Sequence, residues 1–414
     1  MSLDDVERGT LISGRTESMA YPKDRLGFLP KLQLYLRQNR KHLLVFLVIV
    51  LFLFNLMNSN SASSGEISFA GAMKPGYFSV EKSVAGSNTF HFAAVTDLDQ
   101  LSFMDKERKP TYRSILLPGT ITHDDATNKY SIQMDQDKTR ELKTGHNEAG
   151  RGAEFSELQI FNNRLLTFDD RTGDVFEILN HDDGKSSFVV PRFVLTEGEG
   201  DTDKGMKWEW ATVKDGELWM GSMGKEYTNK DGSIANKNNL WVSIMNARGE
   251  IRRIDWSSAF NFVRHHLGAD SPGYLIHESI NWSSHLNRWV FAPRRISTEA
   301  YDDVKDEQRG SNRLVLVNKD FTSAETVHVE MKSKDGLHGF SSLAFIPGTK
   351  DRHAMALRSV EEDCAGDDLN VCKQRSYFVI FDVVTGEVLM DEVKIPLDMK
   401  FEGVEFVDIT TVPP

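Results

Sequence analysis

Five positions in this chain repeat one local pattern. An aromatic residue or histidine is followed at once by Ser or Glu, and a strand-like run begins: Phe155-Ser156, Trp208-Glu209, His277-Glu278, Phe340-Ser341 and Phe401-Glu402. The intervals are roughly 50–70 residues, the period of a propeller blade with long loops. A radial repeat brings equivalent positions to one axis. Three carboxylates there would repel each other unless a cation neutralised them. Calcium takes about six to eight oxygens from carboxylates, hydroxyls, carbonyls and water, so Ser156, Glu209, Glu278, Ser341 and Glu402 form a candidate calcium site. Any one of the five alone reads as an ordinary polar residue at a strand end; the recurrence points to a shared site.

Other residues could work on a phosphate. Asp97 and Asp99 end the apolar run Phe90–Asp99, and a D-x-D at a strand end suits a metal or phosphate as well as a turn. Phe168-Asp169-Asp170-Arg171-Thr172-Gly173-Asp174-Val175 repeats as Phe381-Asp382-Val383-Val384-Thr385-Gly386-Glu387-Val388. Thr-Gly supplies the turn. The turn does not need the charges of Asp170 and Arg171, because the second copy has two valines there. Arg294 and Arg295 follow Pro293 at the end of an apolar run, and arginine forks suit phosphate oxygens. Lys225 and Glu226 follow a Gly-Ser-Met-Gly turn and read equally well as surface charges. His265, His266, His277 and His338 have no metal-type spacing, and there is neither a Walker A sequence nor a G-x-S-x-G elbow.

The elements that must position these groups are strands. LQIFNNRLLTF reads as two strands about Asn162-Asn163, and ATVKDGELWMGS as two around Lys214-Asp215-Gly216. INWSSHLNRWVFAP and LAFIPGTKDRHAMALR repeat the plan with longer turns. Glu402 lies so close to the C-terminus that only one strand can follow it. The missing strands of that blade are expected from Phe90 to about Met134, a closure that hides both sheet edges. Ser257–Leu267 and Glu299–Glu307 are expected as helical insertions.

The chain has 414 residues and a formal charge of −12, which argues against nucleic acid as a partner. Leu43 to Met57 carries no charge, with Lys31, Arg37, Arg40 and Lys41 ahead of it. By the positive-inside rule this is a signal-anchor with the bulk of the chain in the lumen; the rival reading is a cleaved signal peptide with a weak site at Ser61-Ala62-Ser63. The expected order is a cytosolic tail (1–42), a transmembrane signal-anchor (43–57), a lumenal stalk (58–89) and a propeller (90–414). Shedding is compatible with either reading of the N-terminus. Cys364 and Cys372 are the only cysteines and are expected to pair in an oxidising lumen. Asn281-Trp282-Ser283 is a glycosylation sequon, but it falls in an expected inner strand.

EFSELQIFNNRLLTFDDRTGDVFEI, KWEWATVKDGELWMGSMGKE, GYLIHESINWSSHLNRWVFAPRR, HGFSSLAFIP and FEGVEFV closely resemble the calcium-activated nucleotidase family, which includes soluble calcium-activated nucleotidases and one class of salivary apyrases. The resemblance covers about residue 90 to the C-terminus. It implies an all-β, five-bladed propeller with calcium in the central tunnel, hydrolysing nucleoside di- and triphosphates, with UDP and GDP preferred among secretory-pathway members. Carried over by position, the calcium residues are Ser156, Glu157, Glu209, Glu278, Ser341 and Glu402. The family commonly has Asp where this chain has Glu157. The family's essential acids fall on Asp97 and Asp170, and its P-R-R motif on Arg294 and Arg295; Arg171 joins these arginines as a phosphate holder. The type II layout matches membrane-bound members, which implies an ER or Golgi enzyme that clears UDP and GDP in support of glycosylation and glycoprotein folding. Members can dimerise with calcium, though no homodimer interface is legible in these residues. Two rival readings are a calcium-bearing propeller hydrolase of lactones or phosphotriesters and a non-catalytic, calcium-stabilised binding propeller.

Overall fold

The computed structural model describes residues 79–80, 88–181, 184–229, 233–365 and 371–410. The expected tail and anchor lie outside the described residues. No described helix is long and apolar enough to cross a membrane.

The described chain is organised as five antiparallel sheets around an axis. The first blade runs Phe155–Phe161, Arg164–Asp169, Asp174–Asn180 and Ser187–Val194, from inside to outside. The second starts at Trp210–Lys214, the third at Tyr274–Ser283 and the fourth at Gly339–Phe345. The inner strands neighbour one another in that order, and the ring closes through Phe401–Glu405. That last strand pairs with Thr89–Thr96, followed outward by Tyr112–Asp124 and Lys129–Met134. The C-terminal strand thus completes a blade begun by the N-terminal part of the domain, as expected from the position of Glu402. Ser79–Val80, inside the range expected as a stalk, pairs with Val407–Asp408.

Local chemistry makes these hairpins. Asn162 and Asn163 both have positive φ (50° and 58°), as do Asp215 (53°) and Gly216 (78°), the conformation of a two-residue turn matched to strand twist. Five clusters of buried apolar side chains lie one between each pair of adjacent blades; Phe168, Trp208 and Met220, for example, join the first and second. Burial of the blade faces against each other holds the ring. At the axis the approach is closer still. A Cβ on Gly403 would lie 2.6 Å from the Glu157 carbonyl carbon and 2.7 Å from Leu158 N, so only glycine lets the fifth inner strand meet the first.

The helical insertions are present at Ser257–His266 and Asp303–Asp306. Cys364 and Cys372 form a disulfide. Asn281 is buried and its amide nitrogen donates to Leu343 O (2.9 Å), so the sequon asparagine is committed inside the ring.

Candidate active site

The pairing registers explain how one position per blade reaches the axis. In the first blade Phe155 pairs with Asp169 and Leu158 with Thr167, leaving Ser156 and Glu157 opposite one residue. Glu278 and Ser279 bulge in the same way between His277 and Ile280. Ser341 is the extra residue between Phe340 and Ser342, and Glu402 the extra residue between Phe401 and Gly403. Glu209 sits just ahead of its strand, its N–H donating to Gly221 O (2.9 Å). A bulge breaks the alternation of a strand and re-aims a side chain. At Glu278 and Glu402 it brings a carboxylate to the wall of a cavity, while the ring before it stays buried.

Glu209, Glu278 and Glu402 converge. Arg294, itself the extra residue of a bulge in the neighbouring strand, places Nη1 at 2.5 and 2.6 Å from the two oxygens of Glu278 and at 3.0 Å from Glu402 Oε1. Its Nη2 meets Glu361 Oε2 at 2.5 Å. Lys207 bridges Asp170 and Glu209, the latter at 2.6 Å. Lys400 bridges Asp97 (2.7 Å) and Asp99 (3.0 Å) and reaches Glu402 at 3.5 Å. Burial, with the charge of Glu278 adding to it and Lys207 opposing, pushes Glu209 up to about 8. Burial also pushes Glu402 well above the carboxylate range, against the pull of Lys400. Glu361 is partly buried, but Lys400 and Arg294 overcome the desolvation penalty and hold it down at about 2.

Glu209, Glu278 and Glu402 share the wall of a cavity of about 240 Å³ with Asp97, Asp170, Arg171, Lys207, Lys400 and their neighbours. Apart from Tyr227, every lining side chain is a carboxylic acid, a lysine or an arginine. The two F-D-x-x-T-G turns share one design. Asp169 Oδ1 accepts from Arg171 N and Thr172 N, and Asp382 Oδ1 accepts from Val384 N and Thr385 N. The first aspartate of each copy therefore serves the turn. Asp170 and Arg171, which the second copy lacks, line the cavity. Asp170 holds Lys207 with one oxygen, and its buried Oδ1 has no hydrogen-bond partner among the described residues. Arg171 pairs with the half-exposed Glu148 (2.6 Å).

The oxygen set suits calcium. Glu209, Glu278 and Glu402 are buried carboxylates sharing cations, and the buried Ser156 Oγ has no hydrogen-bond partner among the described residues. The other two expected ligands are engaged elsewhere. The Ser341 hydroxyl donates to Phe401 O (2.9 Å), tying two inner strands together. Glu157 accepts from Leu158 N (2.9 Å) and Ser342 Oγ (2.8 Å) and borders a second cavity, of about 180 Å³, between inner strands. Arg295 does not join Arg294: it donates to Leu337 O (3.0 Å) and lies 3.6 Å from Asp306. A second group of acids lines the same large cavity. Oxygens of Asp97, Asp99 and Glu154 lie within 4.8 Å of one another, with Arg151 held on Glu154 (2.7 Å). Burial, then the charges of Asp97 and Asp170, push Glu154 up to about 9 despite Arg151.

Sequence reasoning missed Lys207, Lys400, Glu154, Arg151 and Glu361. A signal for the lysines was present: Met206-Lys207-Trp208-Glu209 recurs as Met399-Lys400-Phe401-Glu402.

A family model described as Apyrase matches residues 98–407. An apyrase of Cimex lectularius is 38% identical over 318 residues, covering 77% of this chain and 82% of that one. Soluble calcium-activated nucleotidase 1 of Rattus norvegicus is 37% identical over 322 residues, 78% of this chain and 75% of its own. Apyrase apy-1 of Caenorhabditis elegans is 35% identical over 329 residues, 80% and 87% respectively.

Proposed function

The chain belongs to the apyrase family and is a nucleotide-hydrolysing enzyme; from that premise we propose that it is a calcium-dependent nucleoside diphosphatase, acting on UDP and GDP and some triphosphates in the lumen of the secretory pathway. The lactone, phosphotriester and non-catalytic readings give way to this one. The single observation that carries it is the convergence of Glu209, Glu278 and Glu402 in the wall of a cavity that lysines and arginines also line.

Glu209, Glu278, Glu402 and Ser156 would hold the metal, with Ser341 contributing through its bulged backbone. Calcium, when bound, offsets diphosphate charge and polarises the terminal phosphoryl group. Arg171, Lys207 and Lys400 line the space where the phosphate oxygens would sit. Arg294, bonded to Glu278 and Glu402, holds them in place and balances charge that moves toward the leaving group. Asp170 has a free buried oxygen in the same cavity, so it orients the attacking water and accepts its proton. Water adds to the terminal phosphorus as the bridging P–O bond breaks, giving nucleoside monophosphate and phosphate. Asp97 is locked on Lys400 and acts through it. Glu157 and Arg295 keep structural roles in this account.

A nucleotide panel on residues 60–414 with calcium, magnesium or chelator tests the reading. Phosphate release from UDP and GDP with calcium alone supports it, and equal release in chelator removes it. The signal-anchor and the ER or Golgi location form part of the proposal and rest on the uncharged run 43–57 and the basic residues before it. Protease protection of the catalytic domain in sealed microsomes checks that topology; digestion without detergent contradicts it. Clearing UDP and GDP there would relieve product inhibition of glycosyltransferases and so support glycosylation and glycoprotein folding.

A further inference from the structure

We propose that Lys207 and Lys400 are exchangeable cations: each occupies a tunnel glutamate until calcium takes it, and each then turns onto a phosphate oxygen of the substrate. The inference deepens the proposed function and rests on its assignment of calcium to Glu209 and Glu402. Three observations lead to it. The motif Met-Lys-aromatic-Glu occurs twice, and in both copies the lysine stands two residues before the glutamate, the spacing that puts two side chains on one side of an extended strand. Both copies then make the same kind of bridge. Lys207 links Glu209 to Asp170, a cavity acid from the first blade, and Lys400 links Glu402 to Asp97 and Asp99, cavity acids from the neighbouring strand. Both lysines also line the cavity in which a diphosphate would lie.

A lysine carries a compact charge on a flexible four-carbon stem, so it can trade partners without backbone movement. A divalent ion on Glu209 and Glu402 would repel the ammonium ions paired with them, Lys207 at 2.6 Å and Lys400 at 3.5 Å. Both ammonium groups already border the cavity, so a phosphate bound there offers each a new anionic partner. Lys400 also lies 3.6 Å from Glu361, but as a point charge that can shift among its carboxylates. Arg294 differs: its planar fork donates directional hydrogen bonds to Glu278, Glu402 and Glu361, which a turn of the side chain would break together. Calcium and phosphate binding are therefore coupled through the two lysines, and by linkage each ligand must tighten the other.

Calcium titration by calorimetry, with and without inorganic phosphate, tests this on the full chain. Without phosphate, Lys207→Met and Lys400→Met are expected to bind calcium about fivefold tighter than wild type or better, since the competing cation is gone. Lys207→Arg and Lys400→Arg, which keep the charge, should stay close to wild type. Phosphate should tighten calcium binding in wild type and do so less in the methionine variants. Unchanged or weakened calcium binding in the methionine variants overturns the inference. If methionine prevents folding, Lys207→Gln and Lys400→Gln repeat the comparison, and loss of phosphate coupling in wild type is equally decisive against it. Glu209→Gln and Glu402→Gln separate the two levels. If these bind calcium as wild type does, the underlying site assignment fails. If they lose calcium while the lysine variants show no gain, the exchange alone fails.

Discussion

Replacing Arg294 by alanine should destabilise the protein strongly in chelator and much less in calcium. Arg294 is 4% exposed and bonded to Glu278, Glu402 and Glu361. Removing one partner of a buried ion pair costs roughly 3–5 kcal/mol, because the other charges stay behind unpaired. Unfolding gains about 2.1 cal/mol/K per residue, or about 0.7 kcal/mol/K over about 320 residues. The melting temperature of Arg294→Ala in chelator should therefore fall by about 4–7 °C. In saturating calcium the divalent ion compensates Glu278 and Glu402, and most of that fall should disappear. Turnover should remain lower even then, by roughly 10²–10³-fold, since a group that balances transition-state charge is missing. Differential scanning calorimetry in the two buffers and a phosphate-release assay read all three quantities. An equal fall with and without calcium would refute the reasoning, because Arg294 and the metal would then not share the same carboxylates.

Glu209→Gln or Glu278→Gln should abolish calcium-dependent nucleotide turnover; wild-type rates in a phosphate-release assay would discard the site. Gly403→Ala forces a Cβ into the backbone of the first blade and should cost about 1–3 kcal/mol in urea unfolding, where an unchanged midpoint would show that the ring gives way easily. The half-buried Glu405 is pushed up to about 7 by desolvation, against backbone hydrogen bonds from Phe406 and Ile160. The folded state then holds a proton that the unfolded chain has already lost above its usual 4.5. This group's contribution is thus fully present below about 4.5 and is lost as pH rises through about 7, up to about 3 kcal/mol in all. Glu405→Gln should flatten the decline in stability between pH 5 and 7 in chelator, and a slope identical to wild type would assign it to other groups. Reducing the Cys364–Cys372 bridge, which closes a loop of separation 8, should cost about 2.5 kcal/mol, read as a lower melting temperature in reductant.

The ring itself was largely legible in the sequence. Two-residue turns at Asn162-Asn163 and Asp215-Gly216 announced the hairpins, and the lateness of Glu402 announced how the last blade is completed. The five axial positions could be read because each follows a residue packed between blades. The direction of individual side chains was less legible. A strand's period of two assigns faces only while the register holds, and at Ser156–Glu157 a bulge breaks it, so that the Ser156 hydroxyl is left without a hydrogen-bond partner among the described residues while Glu157 bonds Ser342. Arg294 and Arg295 part for the same reason, across the bulge at Arg294. Glu361 joins the site from the far end of a long second strand, beside the disulfide, with no local motif to mark it. Asp170 was the better case: comparison with Val383 in the repeated turn separated the residue that builds the turn from the one that faces the cavity.

The central claim is that one calcium ion sits on the axial glutamates. Anomalous diffraction from crystals grown in calcium, or with terbium in its place, measures this directly. The account predicts a peak within roughly 2.3–2.6 Å of oxygens from Glu209, Glu278 and Glu402. A peak confined to the neighbouring acids Asp97, Asp99 and Glu154 would contradict it.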